Sequence, residues 1–434
     1  CTGSPNFREQ IGKIMKSISI ITLGCKVNQV ESEMLGEELE KHGYTVSMGL
    51  SPSDIYIINT CAVTNEAERK SRNIIAKILK LNNNPNIYVC GCSSENKPDS
   101  FKKGDYVKKV IGTKNKLELV NSIITDDKSS PKSNYELDKF ASRVTTRTRA
   151  DLWVQNGCNN FCTYCLIPYL RGREVSFPLD EVKQELERLC PLAKEIVITG
   201  INLSAYGKDI EGSDGLIEVA RLFRGKENRF RFSSLEVNVI TDKFLKELAT
   251  FDNFCDQFHL SLQSGSNNTL KSMNRHYTKE EYLEKVNLIR KYFPNAGITT
   301  DIIIGFPTET EDDFEESLEF VNQVKFSEMH IFPYSKRNGT VAEKFKNIAT
   351  NVAERVSKMT KIAIFNKEQF IKNNIGKVHQ VVIENQKNGY YLAHTKNYIL
   401  CYIKSDKPLE SNTYEFVKIL ECYEDGAIAK IVKM

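Results

Sequence analysis

The run GCNNFCTYC contains three cysteines, Cys158, Cys162 and Cys165, whose spacing lets one short loop direct three thiolates toward one metal centre. Iron–sulfur clusters are held by cysteine thiolates, usually four of them. With three protein ligands one iron keeps open positions, and an open position on a metal indicates chemistry rather than scaffolding. A zinc site without a local fourth ligand and three buried thiols are the alternatives, but zinc sites usually carry two separated C-x₂-C pairs or histidine. We therefore interpret the loop as a catalytic iron–sulfur site.

A second set of thiols follows three short apolar runs that are typical of strands. Cys25, Cys61 and Cys92 lie in TLGCKVN, NTCAVTN and CGCSSE. The carboxyl-terminal strand ends of a doubly wound sheet converge on one crevice, so these thiols can meet although they are far apart in sequence. They are predicted to hold a second cluster that also has an open iron. The alternative is that they are buried cysteines that pack as small hydrophobic side chains.

The other cysteines are not expected to be ligands. Cys90 falls within the strand that precedes Cys92, and it should point the other way in the pleat. Cys1 belongs to a run, CTGSPNFREQ, that has no periodicity. The four isolated cysteines are expected to be core or surface thiols: Cys190, Cys255, Cys401 and Cys422.

The composition bounds the class of protein. A chain of 434 residues with 40% hydrophobic and 27% charged residues should hold two or three globular domains. The net charge of +4 is too small to indicate nucleic-acid binding without a local basic patch. No run of 18 apolar residues predicts a membrane span, and ISIITLG is too short for a signal-peptide core. A cytoplasmic location is expected, where the 12 cysteines should be reduced and clustered ones are better explained as metal ligands.

The elements that must position the first-domain thiols alternate between strand and helix. Residues 1–15 are predicted to be a disordered or tag-like extension, and residues 16–125 a small doubly wound α/β domain. Its strands are predicted in ISIIT, IYIIN and IYVCG, with helices over Glu31–His42 and Asn65–Lys80. The polar stretch 126–149 is predicted to be a linker.

Residues 150–370 resume the alternation with longer helices. Six strands are predicted, in DLWVQ, EIVITG, RFRFSSLE, FHLSLQ, ITTDIIIG and EMHIFPY, each followed by a helix-length segment. The cysteine loop directly follows the first of them. In barrels of this kind the chemistry lies at the carboxyl-terminal strand ends, which is where this loop is placed.

The last segment, 371–434, has a different pattern of apolar residues. Its apolar residues alternate with period two, and turns are predicted at Asn388–Gly389 and Asp425–Gly426. The pattern predicts a small antiparallel β-barrel. Lysines and tyrosines are interleaved in it, as Lys396, Tyr398 and Tyr402 illustrate, which suits RNA binding through phosphate contacts and stacking. A solvated barrel face with edge lysines is the alternative.

The C-x₃-C-x₂-C spacing, with Tyr164 two places after the second cysteine, resembles the signature of the radical S-adenosylmethionine enzymes. From about Lys16 onward, the order of domains resembles the methylthiotransferase branch of that family. The resemblance implies an N-terminal domain with an auxiliary cluster, a central partial (β/α)₆ barrel and a C-terminal TRAM domain that binds RNA. It also implies two [4Fe–4S] clusters, S-adenosylmethionine, and insertion of a methylthio group at a C–H bond that a deoxyadenosyl radical activates. Such homolytic chemistry comes from a cofactor, because no protein side chain supplies it.

The resemblance also implies roles for residues beyond the cysteines. Tyr164 is expected to pack near the adenine of the cofactor, and the residues after the second strand to bind its methionine end. Further polar residues after the third, fourth and fifth strands are expected near the cofactor or the substrate. The residues expected to bind cofactor are Tyr164, Thr199, Gly200, Asn202, Ser233, Ser234, Glu236, Gln263 and Asp301. Taken singly, each polar residue is as well explained as a cap or a turn.

The segments TLGCKVNQVES and NGCNNFCTYCLIPYLRGRE are most similar to the subgroup that modifies threonylcarbamoyladenosine at position 37 of tRNA. The isopentenyladenosine subgroup shows G-C-Q-M-N, and the subgroup acting on a ribosomal-protein aspartate shows G-C-P-K-N, where this chain has Lys26–Val27. Both remain alternatives, as does a noncatalytic RNA-binding iron–sulfur protein. CSSE after Cys92 departs from the family's commoner cysteine–aromatic–alanine. The implied partners are the tRNA anticodon stem-loop and an electron donor such as flavodoxin, with no membrane.

Overall fold

The computed structural model describes residues 16–102, 104–126 and 148–433. The predicted N-terminal extension and nearly all of the predicted linker lie outside the described residues. The chain divides into two compact units, Cys1–Arg143 and Val144–Met434. Within the described residues, no helix combines the length and the apolar character needed to cross a membrane.

The N-terminal unit is a parallel five-stranded sheet with helices on both faces. Its strands lie in the order β2-β1-β3-β4-β5. Its elements in chain order are β1 (Ser17–Thr22), α1 (Lys26–Lys41), β2 (Thr45–Met48), β3 (Ile55–Thr60), α2 (Asn65–Leu81), β4 (Asn86–Gly91), α3 (Cys92–Asn96), β5 (Val107–Val110) and α4 (Leu117–Asp126). The predicted α/β arrangement is confirmed, and the short strands β2 and β5 were not predicted.

Two apolar layers hold this sheet. Leu35 and Leu39 of α1 pack with Ile18 and Ile57 on one face, while Ile78 of α2 packs on the other. Helix α2 begins where the Thr64 side chain accepts a hydrogen bond from the Ala67 N–H, the usual way of satisfying a free helix N-terminus. The sheet is therefore buried on both sides, and its carboxyl-terminal edge is where polar groups collect.

The second unit begins with six βα segments whose strands form two sheets. The sheet orders are β7-β6-β8-β9 and β10-β11-β12-β13, parallel except for the β6–β7 pair. The elements are β6 (Arg149–Asn156), α5 (Ile167–Leu170), β7 (Val175–Ser176), α6 (Leu179–Leu189), β8 (Glu195–Gly200), α7 (Leu216–Arg221), β9 (Arg229–Phe232), β10 (Ser234–Leu235), α8 (Asp242–Leu248), β11 (Gln257–Leu260), α9 (Asn267–Ser272), α10 (Lys279–Tyr292), β12 (Gly297–Ile304), α11 (Glu311–Val324), β13 (Glu328–Pro333) and α12 (Val352–Lys372).

The third predicted strand, RFRFSSLE, is divided at Ser233 into β9 and β10. As a result each sheet takes one half of it, and the strands do not close into a continuous ring. Odd-numbered residues of β12 face the lumen and even-numbered ones, such as Ile298 and Ile302, pack beneath the helices. The two sheets therefore form an open partial barrel, and the half-buried Asp301 and Ile303 of β12 line its lumen.

The C-terminal segment forms a closed five-stranded barrel from β14 (Val378–Lys387), β15 (Tyr390–Thr395), β16 (Leu400–Ile403), β17 (Tyr414–Tyr423) and β18 (Gly426–Ile431). The prediction of an all-antiparallel barrel is wrong in one pair, because β16 and β18 run parallel. The long connection after β16 carries β17 across to pair with β14, and the next hairpin returns β18 beside β16.

One of the two predicted hairpin turns needs a correction. Asn388 and Gly389 both have positive φ, as their two-residue turn requires. In the second hairpin Gly426 is already paired with Tyr423, so the turn residues are Glu424 and Asp425 rather than Asp425 and Gly426.

Lys396, Tyr398 and Tyr402, which the sequence predicted on an RNA-binding face of the barrel, each contact another part of the second unit instead. The Tyr398 ring lies under the guanidinium of Arg231, 4.3 Å from its carbon, and Lys396 donates to the Asp252 carbonyl. Tyr402 is buried and donates to Asp425. Lys396 and Tyr398 therefore attach the barrel to the amino-terminal ends of the central strands and are not free to contact RNA.

Candidate functional site

The loop that carries Cys158, Cys162 and Cys165 leaves the carboxyl-terminal end of β6. Gly157 precedes it with φ +72°, and an added Cβ would lie 1.8 Å from the Arg173 carbonyl oxygen. The Cys158 N–H donates to the Gly172 carbonyl at 3.2 Å, which ties the start of the loop to its return. Only glycine combines that conformation with so close a backbone approach, so the sequence positions the first thiol through this residue.

Each of the three sulfur atoms accepts a hydrogen bond from an N–H group. The donors are the backbone of Asn160 to Cys158 Sγ, the backbone of Ile167 to Cys165 Sγ and Arg275 Nη1 to Cys162 Sγ, each at 3.4 Å. Such donors stabilise negative charge on a ligating sulfur, and hydrogen bonds to sulfur are one of the levers on iron–sulfur centres. The chemistry of this donor set therefore fits a cluster held by three thiolates.

Burial acts in the opposite direction on two of these thiols, Cys158 and Cys165. It raises the pKa of Cys158 to about 11 and that of Cys165 to about 12. These two free thiols are therefore protonated at neutral pH. Because metal ligation requires the thiolate, cluster assembly at this loop must release protons.

Arg275 was not predicted from the sequence, where RHY carries no motif. Besides Cys162, its guanidinium pairs with Glu236 and donates to the Ser261 carbonyl at 3.1 Å. Tyr277 lies beside it and donates to the same carbonyl at 2.7 Å. This buried cation thereby links the cysteine loop to the segments after β10 and β11.

The residues predicted after β6 and β8 lie near the cysteine loop. Thr199 and Gly200 end β8, and the Asn202 N–H donates to Gln155 Oε1 at 2.7 Å. Glu174 accepts from the Asn202 side chain at 3.1 Å and from the Asn159 N–H at 3.3 Å. Tyr164 packs edge-on against Phe306, and burial raises its pKa well above the usual value. These contacts join the loop to the neighbouring strand end.

The residues predicted after β9, β10 and β11 line the same edge. Ser233 has a buried hydroxyl without a hydrogen-bond partner among the described residues, while Ser234 is exposed. Glu236 accepts from the Asn160 side chain at 3.4 Å, which brings it to the cysteine loop. Gln263 holds φ +72°, a strained conformation of the kind that clusters at functional sites. Asp301 lies lower, inside the lumen, beside His259.

The three thiols of the N-terminal unit follow three adjacent strands. Thr60 is in register with Gly91, so Cys61 and Cys92 leave neighbouring strands at the same level. Gly24 has φ +98°, and its Cβ position lies 2.7 Å from Cys61 Sγ, so a side chain there would displace the sulfur. Cys61 and Cys92 are buried, and Cys25 is exposed. Cys90 packs in the core on one face of the sheet.

Asn28 fixes these loops together and was not predicted. Its side-chain N–H donates to the Leu23 carbonyl at 2.8 Å and to the Thr60 carbonyl at 3.0 Å. The Val63 N–H donates to Cys61 Sγ at 3.5 Å. The three thiols therefore lie at one sheet edge whose geometry a buried amide maintains.

Neither triad has the spacing of a mononuclear zinc site. Zinc–sulfur bonds of about 2.3 Å draw tetrahedral ligands to roughly 3.8 Å of one another. Among the described residues, the one group of three metal-ligating side chains whose ligand atoms lie within 4.8 Å of one another is His259, Asp301 and His330. Neither cysteine triad is such a group among the described residues.

Comparisons with known proteins identify the family of this chain. Residues 154–321 match the radical SAM superfamily, and residues 17–112 match an uncharacterised protein family, UPF0004. A threonylcarbamoyladenosine tRNA methylthiotransferase of Bacillus subtilis is 33% identical over 96% of this chain and 98% of its own length. The chain belongs to the radical SAM methylthiotransferases.

Other methylthiotransferases are similarly close. The protein named MtaB from Thermotoga maritima is 37% identical over 85% of this chain and 87% of its own length. A tRNA-2-methylthio-N(6)-dimethylallyladenosine synthase of Thermosipho melanesiensis is 35% identical over 91% of this chain and 94% of its own length. Identity alone therefore does not separate the two tRNA-modifying groups.

Solved structures match at the level of the fold. The radical S-adenosylmethionine methyltransferase TsrM from Kitasatospora setae, solved with cobalamin and a [4Fe–4S] cluster, aligns with a TM-score of 0.51. It is 14% identical, over 74% of this chain and 75% of that chain. The cobalamin-dependent S-adenosylmethionine radical enzyme OxsB aligns with a TM-score of 0.50 at 13% identity, over 83% of this chain and 56% of that chain. The radical SAM α/β fold is thereby established for this methylthiotransferase.

Proposed function

We propose that this methylthiotransferase converts N6-threonylcarbamoyladenosine at position 37 of tRNA to its 2-methylthio derivative. Cys158, Cys162 and Cys165 would hold the cluster that binds S-adenosylmethionine, and Cys25, Cys61 and Cys92 the auxiliary cluster. The observation that carries the proposal is the set of N–H donors to all three sulfurs of the loop after β6. The radical SAM family uses S-adenosylmethionine and a [4Fe–4S] cluster, and the donor set suits that cluster.

When bound, the cluster and S-adenosylmethionine supply the homolytic chemistry that side chains cannot. The residues of the chain would position the ligating sulfurs and shield the site from water. Arg275 and the two backbone N–H groups orient the ligating sulfurs, and Glu236 holds Arg275 in place. Tyr164, packed against Phe306, excludes water on one side of the loop. Water exclusion matters because a reactive intermediate must meet its substrate and not solvent.

The two cysteine triads suit a division of labour. The sulfur that enters the product must be delivered, and one cluster is poorly suited to be both electron source and sulfur carrier. Each triad supplies three thiolates, which leaves an iron with an open position for a ligand. A noncatalytic role would favour complete sets of four cysteines at each site. In the catalytic role proposed here, the cluster held by the loop after β6 must be reduced, which requires an electron donor such as flavodoxin.

The choice of threonylcarbamoyladenosine rests on two supports. The motifs around Cys25 and Cys158 resemble that subgroup, and relatives from Bacillus subtilis and Thermotoga maritima carry its name. The second candidate is isopentenyladenosine, because the Thermosipho melanesiensis relative is named for that substrate at 35% identity.

The C-terminal barrel is proposed to be a TRAM domain that contacts the tRNA. Support comes from two partly exposed tyrosines beside the buried Tyr402, namely Tyr390 and Tyr423, whose ring centroids lie 5.6 Å apart. Lys404 is exposed, with its ammonium 5.1 Å from the Tyr390 centroid. A cation beside partly exposed rings is a common arrangement for contact with phosphate and bases.

The proposal is tested with the reconstituted protein and two anticodon stem-loops, one with threonylcarbamoyladenosine and one with isopentenyladenosine at position 37. Mass spectrometry of the nucleosides should show methylthiolation of the first only. Cys25→Ala should abolish methylthiolation yet retain reductive formation of 5′-deoxyadenosine, while Cys158→Ala should abolish both. Conversion of only the isopentenyl substrate would overturn the substrate assignment. No deoxyadenosine from the wild-type protein would overturn the enzymatic one.

A further inference from the structure

A polar group lies in the lumen of the central barrel, below the cysteine loop. His259, Asp301 and His330 come from the adjacent strands β11, β12 and β13, and their ligand atoms lie within 4.8 Å of one another. Asp301 is directly in register with His330. His259 Nε2 is 3.3 Å from Asp301 Oδ2 without forming a hydrogen bond, and this buried nitrogen has no hydrogen-bond partner among the described residues.

The depth of this group follows from the strand that carries His259. Ser261, two residues further along, has its carbonyl bonded to Arg275, which in turn donates to Cys162. Two residues of a strand span about 7 Å. His259 therefore lies about that far below Ser261, and Arg275 spans the remaining distance from the Ser261 carbonyl to Cys162.

Hydrogen bonds fix His259 from beneath. Its Nδ1 is 3.0 Å from Thr299 Oγ1, which accepts from Gln257 Nε2 at 3.0 Å. Gln257 Oε1 in turn accepts from Arg231 Nη1 at 3.4 Å. The contact at Nδ1 positions the imidazole and leaves Nε2 available to a further hydrogen-bond partner. An unsatisfied polar atom of this kind is prepared for a polar ligand.

An aromatic ring lies one step above the polar group. Phe332 is two residues after His330 on β13 and is 45% exposed, an unusual exposure for a phenylalanine in a strand. It is in register with Ile303, which packs with Tyr164 and Phe306 beside the cysteine loop. Nucleobases stack on such exposed aromatic rings in other proteins.

We propose that this part of the lumen is the subsite for the modified adenosine, with Phe332 beneath the base and His259, Asp301 and His330 receiving its N6 substituent. The inference rests on the proposed function and assigns residues that determine its specificity. A threonylcarbamoyl group offers a hydroxyl, a ureido group and a carboxylate to the three polar side chains. An isopentenyl group offers none, so it would leave the polar atoms unpaired, which sites of this kind strongly disfavour.

The test measures binding without turnover. The full-length protein with both clusters is titrated anaerobically with three stem-loops that differ only at position 37: threonylcarbamoyladenosine, isopentenyladenosine and adenosine. The wild-type protein should bind the first roughly tenfold more tightly than the third, as expected for a few buried hydrogen bonds. His330→Ala and His259→Ala should bring that ratio close to one, and His330→Gln should restore part of it. Phe332→Ala should weaken binding of all three RNAs.

The control is Glu315→Gln, an exposed residue of α11, which should keep the wild-type ratio. Unchanged ratios in both histidine variants, together with wild-type conversion of the threonylcarbamoyl substrate, would overturn this inference alone. A metal beyond cluster iron that is present in the wild type and lost in His330→Ala would also overturn it, since the group would then be a metal site. Failure of the wild type to convert the threonylcarbamoyl substrate would overturn the proposed function itself.

Discussion

At the scale of single residues, the chemistry depends on which groups face the sulfur atoms. Cysteine spacing identifies the thiols, but Arg275 is more than 100 residues away from Cys162 in the chain and only 3.4 Å away in space. The cation and its N–H would stabilise added negative charge on a cluster held by Cys162. Reduction adds such charge, so Arg275 should raise the reduction potential of the cluster.

Arg275→Met should therefore make the potential of the proposed radical cluster more negative. The expected shift is on the order of 60 mV, a tenfold change in a one-electron equilibrium. A titration followed by electron paramagnetic resonance measures it in a protein that also carries Cys25→Ala, Cys61→Ala and Cys92→Ala, so that one cluster contributes. Arg275→Lys keeps the charge and should shift the potential less. Equal potentials in all three proteins would contradict this role.

At the scale of elements, the loops after the strands are shaped by glycines. Gly157 and Gly172 both have positive φ, at +72° and +81°, on the two sides of the cysteine loop. Their surroundings differ: an added Cβ at Gly157 meets backbone at 1.8 Å, while at Gly172 nothing lies within 4 Å. Substitutions at these two glycines therefore distinguish two effects. Both positions impose the strain of a positive φ, which costs an ordinary residue about 1 kcal/mol, but only Gly157 also excludes a side chain sterically.

Gly157→Ala should prevent the loop from bringing its thiols together, and Gly172→Ala should not. After anaerobic reconstitution, iron should fall from about eight to about four atoms per chain in the first variant, because a four-iron cluster is lost. Iron analysis and circular dichroism measure the cluster content and the fold. Full iron content in Gly157→Ala would show that the loop tolerates the side chain.

At the scale of the second unit, a buried group of charges joins the central strands to the C-terminal barrel. Glu195 accepts from Arg229 and from Arg231, and Arg149 bridges Glu195 to Glu384 of the barrel. Burial raises the pKa of Glu195, but the three arginines outweigh it and hold the pKa well below the usual value. The carboxylate therefore stabilises the fold above about pH 4.5, and that stabilisation is lost only as the pH falls below this value.

Glu195→Gln should destabilise the second unit by about 3–5 kcal/mol, because it leaves buried guanidinium groups without their counter-charge. Thermal unfolding at pH 7 measures the loss, and the difference from the wild type should shrink as the pH falls below 4. Glu227→Gln is the matched control, since that carboxylate is 90% exposed beside Lys194. Equal melting temperatures for Glu195→Gln and Glu227→Gln at pH 7 would contradict this account.

Many strands and one hairpin turn were predictable because they depend on the local sequence pattern. Short β-branched runs predicted strands such as β3 and β12, and the Asn388–Gly389 pair predicted its hairpin. The parallel β16–β18 pair was not predictable, since a two-residue periodicity gives no information on which strands become neighbours. The same limit applies to Tyr398, which looked like a surface residue by composition and is covered by Arg231.

The sequence by itself determined the residue types that can act as ligands and, through the C-x₃-C-x₂-C spacing, the grouping of Cys158, Cys162 and Cys165. The grouping of Cys25, Cys61 and Cys92 depends on the strand ends that carry them. The tertiary structure decided what surrounds these thiols: Arg275 beside Cys162, Asn28 between the loops that carry Cys25 and Cys61, and the polar group on the lumen strands. The physical reason is range. Covalent spacing acts over a few residues, whereas hydrogen bonds and burial join groups that only the folded chain brings within a few ångströms of one another.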